Sequence, residues 1–194
     1  MFDWQKLNGD LDTGDVILFH SPDMISTAID VVTHSHFSHV GMVVKDPKLT
    51  GLPLSLWQSF EPDGGVVVDP LPDFLRKYHH DDRGSFAIRH LQIERTPAML
   101  QALATFMNTV KGRHFPSATG MAWHWVEGKL GINSGEKTFF CADLVADTWQ
   151  HMGILDSVKP ANGYAPSDFA YRTDMPFKAS GQLGELVRFR LGDV

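Results

Sequence analysis

Cys141, Leu144, Val145, Thr148, Trp149 and Met152 recur at close to i, i+3, i+4, i+7, i+8 and i+11. That spacing places them on one face of an α-helix and demands a second surface to cover it. Phe139-Phe140 reads as strand or loop, and Gly153 supplies a stop, so the pattern predicts a helix that opens at Cys141. Cys141 is also the only cysteine in the chain. Unpaired backbone N–H groups at a helix start carry partial positive charge, which favours thiolate, the nucleophilic form. A lone free cysteine is otherwise a small buried hydrophobe, so a nucleophile needs a base and an orienting partner.

A base is available upstream. Asp15 to Phe19 reads as a strand. Ser21-Pro22-Asp23 then offers an N-cap, a proline at the first helical position and an acidic first turn, with Met24 to Val32 as a short apolar helix. His39 opens the apolar, β-branched run Val40 to Val44 and belongs at the start of a core strand. Gly41 in that run signals close approach of a neighbouring element. A neutral imidazole on a rigid strand suits the proton-accepting role for a thiol on a facing helix.

The ordered set Gly14 to Phe19, Ser38-His39-Val40-Gly41-Met42-Val43 and Phe140-Cys141-Ala142-Asp143-Leu144-Val145 resembles the circularly permuted papain-like cysteine hydrolases. These are NlpC-type, YiiX-like relatives of cell-wall peptidases, more distantly related to lecithin retinol acyltransferase-like enzymes. In the unpermuted enzymes the cysteine helix precedes the histidine strand; here His39 comes first. The likeness extends over Leu54 to Phe60, Gly65 to Leu71 and Ala165 to Phe169, and so spans most of the chain.

The resemblance implies one α+β domain over residues 1–194, a permuted papain-like fold. Its form is a small antiparallel sheet or partly closed barrel with packed helices. It implies that the Cys141 helix start faces the His39 strand, and that Cys141 attacks an acyl carbonyl while His39 manages the proton. The Cys141 backbone N–H would serve as an oxyanion donor. The implied substrate is a small peptide, an N-acyl or a lipid-like molecule, cleaved at an amide, ester or thioester, with acyl transfer as the related outcome. No cofactor is implied. The family carries a glutamate and a small residue on the strand after the histidine, where this chain has Gln58-Ser59. An amide can orient an imidazole but cannot neutralise an imidazolium. Gln58 therefore stands as the third member with Glu61 as its rival, and a binding-only descendant of the fold stays open.

Histidines also suggest metal. Thr33-His34-Ser35-His36-Phe37-Ser38-His39 is similar to the T-H-x-H-x-D-H signature of metallo-β-lactamase-like hydrolases, with His114 further on. Against this, Ser38 replaces the liganding aspartate, only 33 residues precede His34, and Val40 to Val44 reads as strand where that family begins a helix. The expected metal set is therefore none, with His34 and His36 in an exposed loop.

A net charge of −6 with no basic stripe argues against a nucleic-acid partner. No apolar run reaches the roughly 18 residues of a membrane span. One cysteine and no visible signal peptide point to a reducing, cytoplasmic setting. Elsewhere, Thr96-Pro97 should start a helix with Met99, Leu100, Leu103, Phe106, Met107 and Val110 on its buried side, ending at Gly112. Asp73 to Tyr78 reads as a shorter helix, and Phe86 to Leu91 and Glu185 to Leu191 as strands. Arg113 to Thr138, with Trp123 and Trp125, reads either as a substrate-shaping insertion or as a core-covering loop.

Overall fold

A computed structural model of the protein describes residues 9–20, 36–78, 86–117, 120, 126–132, 138–178 and 181–189. The expected Met24–Val32 helix, His34, Trp123 and Trp125 lie outside the described residues.

Apolar, β-branched runs become strands β1 (Val16–Phe19), β2 (His39–Val44), β3 (Ser55–Phe60), β4 (Gly65–Pro70) and β5 (Phe86–Arg89). Two short strands, β6 (Leu91–Gln92) and β7 (Gln182–Leu183), pair apart from them, and β8 (Val187–Phe189) completes the set. The main sheet has six strands in the order β4-β3-β2-β1-β5-β8, every pair antiparallel. It is an open sheet among the described residues, edged by β4 and β8, so the barrel alternative is not what forms.

The helices are α1 (Pro47–Thr50), α2 (Leu71–Tyr78), α3 (Pro97–Val110), α4 (Cys141–His151) and α5 (Pro166–Tyr171). Of these, α2, α3 and α4 stand where the sequence expects helices, whereas α1 and α5 are two short ones it did not single out. Thr96 caps α3 by accepting from Met99 N, and Gly112 and Gly153 take the left-handed conformation after α3 and α4.

Strand alternation divides the core in two. One face of the sheet presents Leu18, Val40, Met42 and Trp57 to α3 and α4. The other presents Phe19, Val43, Leu56 and Phe60 to Leu71, Phe74 and Leu75 of α2. The expected strand Phe86 to Leu91 is interrupted at His90. Buried Asp15 holds His90 Nδ1 at 2.7 Å and accepts from Leu91 N at 2.9 Å, drawing Leu91 off the main sheet. Arg89 is buried beside this break and donates to the carbonyls of Gly184, Phe169 and Arg172, tying the C-terminal segment to β5.

Gly65 begins β4 at φ 145, and a Cβ there would lie 2.0 Å from Arg113 O, which is main chain and cannot turn aside. Gly51 also has positive φ, 78, but faces open space. Gly51→Ala should cost about 1 kcal/mol. Gly65→Ala should cost roughly 3 kcal/mol or more, because backbone must shift as well. Denaturant midpoints of the two variants check this; equal losses would contradict the close approach.

Candidate active site

Helix α4 reaches the sheet through two polar pins on β3. Trp57 Nε1 donates to Thr148 Oγ1 at 3.0 Å, and Ser59 Oγ donates to Phe139 O at 2.6 Å, both buried. Together they fix the entry to α4. Phe140 occupies the N-cap without a side-chain hydrogen bond, so the first N–H groups of the helix have no side-chain cap. Cys141 Sγ lies 4.0 Å from Ser38 O, against the main chain of the residue before His39.

His39 is fully buried, and its side chain emerges on the other face of the sheet. Its ring lies between Phe19, at 4.6 Å between centroids, and Phe60, at 5.2 Å. His39 Nε2 stands 2.9 Å from Gln58 Oε1. An amide oxygen only accepts, so Nε2–H is the donor. Gln58 shares that face because positions 56, 58 and 60 of β3 alternate with the helix-facing positions 57 and 59.

The structure thus brings His39 and Gln58 together. It places Cys141 at the backbone beside His39, with the thiol on Ser38 O rather than on the ring. Glu61 lies in the short 3-10 turn Glu61–Asp63 after β3, and Gln58 holds the place next to the imidazole. His36 and His114 are exposed, and His114 bridges Gly65 and Thr138 on the rim of β4.

One site residue escaped the sequence reading. Gln58 Nε2 donates to Asp69 Oδ2 at 2.7 Å, extending the chain to His39–Gln58–Asp69. The register pairs Gln58 with Val67, so Asp69 is its diagonal neighbour on the same face, within reach of a long side chain. Its signal in the sequence was hairpin parity: a single acid in an otherwise apolar strand, two positions beyond the partner of Gln58.

Burial sets the electrostatics. It lowers the His39 pKa to about 3, only partly opposed by the Gln58 hydrogen bond. It raises the Cys141 pKa to about 11, against backbone hydrogen bonds at Val40, Ala142 and Cys141 itself, and Asp143 raises it further. The expected helix-start bias toward thiolate is therefore present but outweighed by loss of solvent. Asp143 is itself pushed well above the carboxylate range, by burial first and by Asp147 second. Asp69 is raised by burial and Asp63, opposed by Gln58 and Lys77. At rest the thiol and the imidazole are both neutral.

These features define an open antiparallel α+β protein with a thiol and an amide-held imidazole on adjoining elements. No protein-family model matches the chain. It is similar to the uncharacterized protein YiiX of Escherichia coli (strain K12), 25% identical over 146 residues, 70% of this chain. The chain spans 65% of that relative, just under two thirds of its length. The crystal structure of metalloprotein yiiX from Escherichia coli O157:H7 shares the fold, with a TM-score of 0.55 at 18% identity. That likeness covers 92% of this chain and 96% of that one.

Burial of His39 predicts acid sensitivity. The unfolded chain binds a proton as pH falls below 6.5, whereas native His39 does not until about 3. Its contribution is fully present above 6.5 and is lost progressively through the window down to about 3. Between pH 7 and pH 4.5 it should remove about 2 to 3 kcal/mol. Urea midpoints of the wild type should fall more over that interval than those of His39→Gln. Parallel loss in both proteins would contradict the buried neutral imidazole.

Proposed function

We propose that this chain is a cysteine-dependent hydrolase of the permuted papain-like kind, acting on an acyl substrate through Cys141, His39 and Gln58. The observation that carries the reading is the 2.9 Å contact between His39 Nε2 and Gln58 Oε1, made on the strand whose main chain meets the Cys141 thiol. Gln58 holds the ring by its distal nitrogen, and the proximal nitrogen Nδ1 serves as the base. The resting fold holds Sγ and the His39 ring on opposite faces of the sheet, so the reaction begins with a rearrangement that brings Nδ1 to the thiol. The thiol proton then passes from Sγ to Nδ1, Sγ bonds to the acyl carbon, and the N–H of Cys141 receives the developing oxyanion. His39 then returns the proton to the leaving group, and water or an acceptor nucleophile releases the acyl group. A small peptide, N-acyl or lipid-like substrate fits this chemistry.

Asp69 bears on why an amide is found where the resemblance expects glutamate. A carboxylate at position 58 would stand against the Asp69 carboxylate, now 2.7 Å from the Gln58 nitrogen, and one of the two would have to take a proton. Gln58 supplies the acceptor for His39 while satisfying Asp69 as a donor.

The YiiX crystal structure is called that of a metalloprotein, which raises a metal reading for His34, His36 and His39. Among the described residues no group of three His, Cys, Asp or Glu is placed to hold an ion. His36 is exposed, the Nε2 of buried His39 is engaged by Gln58, and His34 lies outside the described residues. The described residues do not make a metal site.

The test is a panel of peptide, acyl-lysine, lipid and thioester substrates. Cys141→Ala should abolish turnover, and His39→Ala should lower it on the order of 100-fold or more. Gln58→Ala should lower it less than either. Full activity of Cys141→Ala would end the proposal. Chelation by EDTA should leave wild-type turnover unchanged, and elemental analysis should find no stoichiometric zinc or iron. One tightly bound metal per chain whose removal stops turnover would favour the metal reading instead.

A further inference from the structure

Gln58 sits between two groups of opposite demand. A primary amide carries an acceptor oxygen and a donor nitrogen, interchanged by a half-turn of its last torsion. Asp69 Oδ2 is 2.7 Å from Gln58 Nε2, and an ionised carboxylate only accepts. The amide nitrogen must therefore face Asp69, and its oxygen is turned to His39 Nε2 at 2.9 Å. Facing an oxygen that only accepts, Nε2 must carry the imidazole proton. The lone pair of the neutral ring is then on Nδ1, the nitrogen nearer the main chain.

Having glutamine at position 58 makes the identity of its second partner matter. Gln58 alone could present either end to His39, and the two orientations specify opposite tautomers. A glutamate at that position would need no such partner, because both its oxygens accept. Asp69 belongs to β4, not to the strands bearing His39 or Gln58, and reaches Gln58 across the β3–β4 pairing.

We propose that Asp69 is a positioning residue that holds His39 in its Nε2–H tautomer by fixing the orientation of the Gln58 amide. Its role in turnover rests on the cysteine-hydrolase reading. In that reading the thiol proton moves to Nδ1 and the imidazolium keeps its Nε2–H on Gln58. The Asp69 carboxylate polarises the intervening amide, so the positive charge is opposed by a negative one two hydrogen bonds away. Gln58 and Asp69 together then do part of what a directly bonded carboxylate does.

Side-chain 15N NMR of His39 at neutral pH reads the tautomer whether or not the protein turns anything over. Wild type should show Nε2–H alone. Asp69→Asn keeps the shape but can offer Gln58 either a donor or an acceptor, so a second tautomer should appear. Turnover of an acyl substrate should fall about tenfold or more in kcat, with KM little changed. Asp69→Ala, which removes the fixed acceptor, should give the same mixture and serves if Asp69→Asn fails to fold. The double variant Gln58→Glu/Asp69→Asn puts an acceptor-only group back against His39, with the new amide donating to the new carboxylate. It should restore the single tautomer and most of the lost kcat, which a merely space-filling Asp69 would not do. An unchanged tautomer in both single variants, or a double variant that stays mixed, overturns the proposal. Tautomers that respond as expected while Cys141 is never acylated support the Asp69 lock and sink the hydrolase reading alone.

Discussion

Strand β3 serves both faces of the sheet at once, and the geometry of the site depends on that. Trp57 and Ser59 point to one side and pin α4 through Thr148 and the Phe139 carbonyl. Gln58 points to the other and holds His39, with Leu56 and Phe60 packed around it. The strict period of two in a strand makes these jobs inseparable. A one-residue slip of β3 would send Gln58 under the helix and Trp57 into the imidazole pocket. The contact between β2 and β3, Met42 opposite Trp57 and Val43 opposite Leu56, is therefore what sets thiol, imidazole and amide relative to one another.

Burial gives this arrangement its resting chemistry. With pKa values near 3 for His39 and 11 for Cys141, the thiolate–imidazolium pair lies on the order of 10 kcal/mol above the neutral pair, before their mutual attraction is counted. A helix start contributes only a fraction of that. Asp143, two residues into α4, adds to the bias against thiolate. In the proposed reaction, solvent or substrate would have to enter and lower the cost of charge separation. As folded, burial keeps the thiol in its neutral form.

Much of this was legible in the chain. Cys141 opens α4, His39 opens β2, and Thr96-Pro97 opens α3, the first two at a change of hydrophobic period and the third at an N-cap followed by proline. The Gln58–His39 pairing came from a resemblance, not from spacing, and the contact forms. Three features were not legible, each because it depends on tertiary partners. Asp69 becomes a partner of Gln58 only once the β3–β4 register is known. The break at His90 follows from buried Asp15, whose interactions reach 75 residues along the chain. The direction of the Cys141 pKa reflects solvent exclusion by the sheet, which a helix-start argument does not contain. The expected strand Glu185 to Leu191 shortens to Val187–Phe189 within the described residues, paired only with β5 at the sheet edge.

The papain-like account makes one chemical commitment above the others, a covalent bond between Sγ of Cys141 and the acyl group of the substrate. Rapid quench of the protein with an activated acyl ester or thioester, followed by intact-mass and peptide-level mass spectrometry, looks for that bond directly. The account predicts one acyl adduct per chain, on the peptide containing Cys141, which forms and decays at rates consistent with turnover. Turnover without an adduct, or an adduct that leaves Cys141 unmodified, would contradict it.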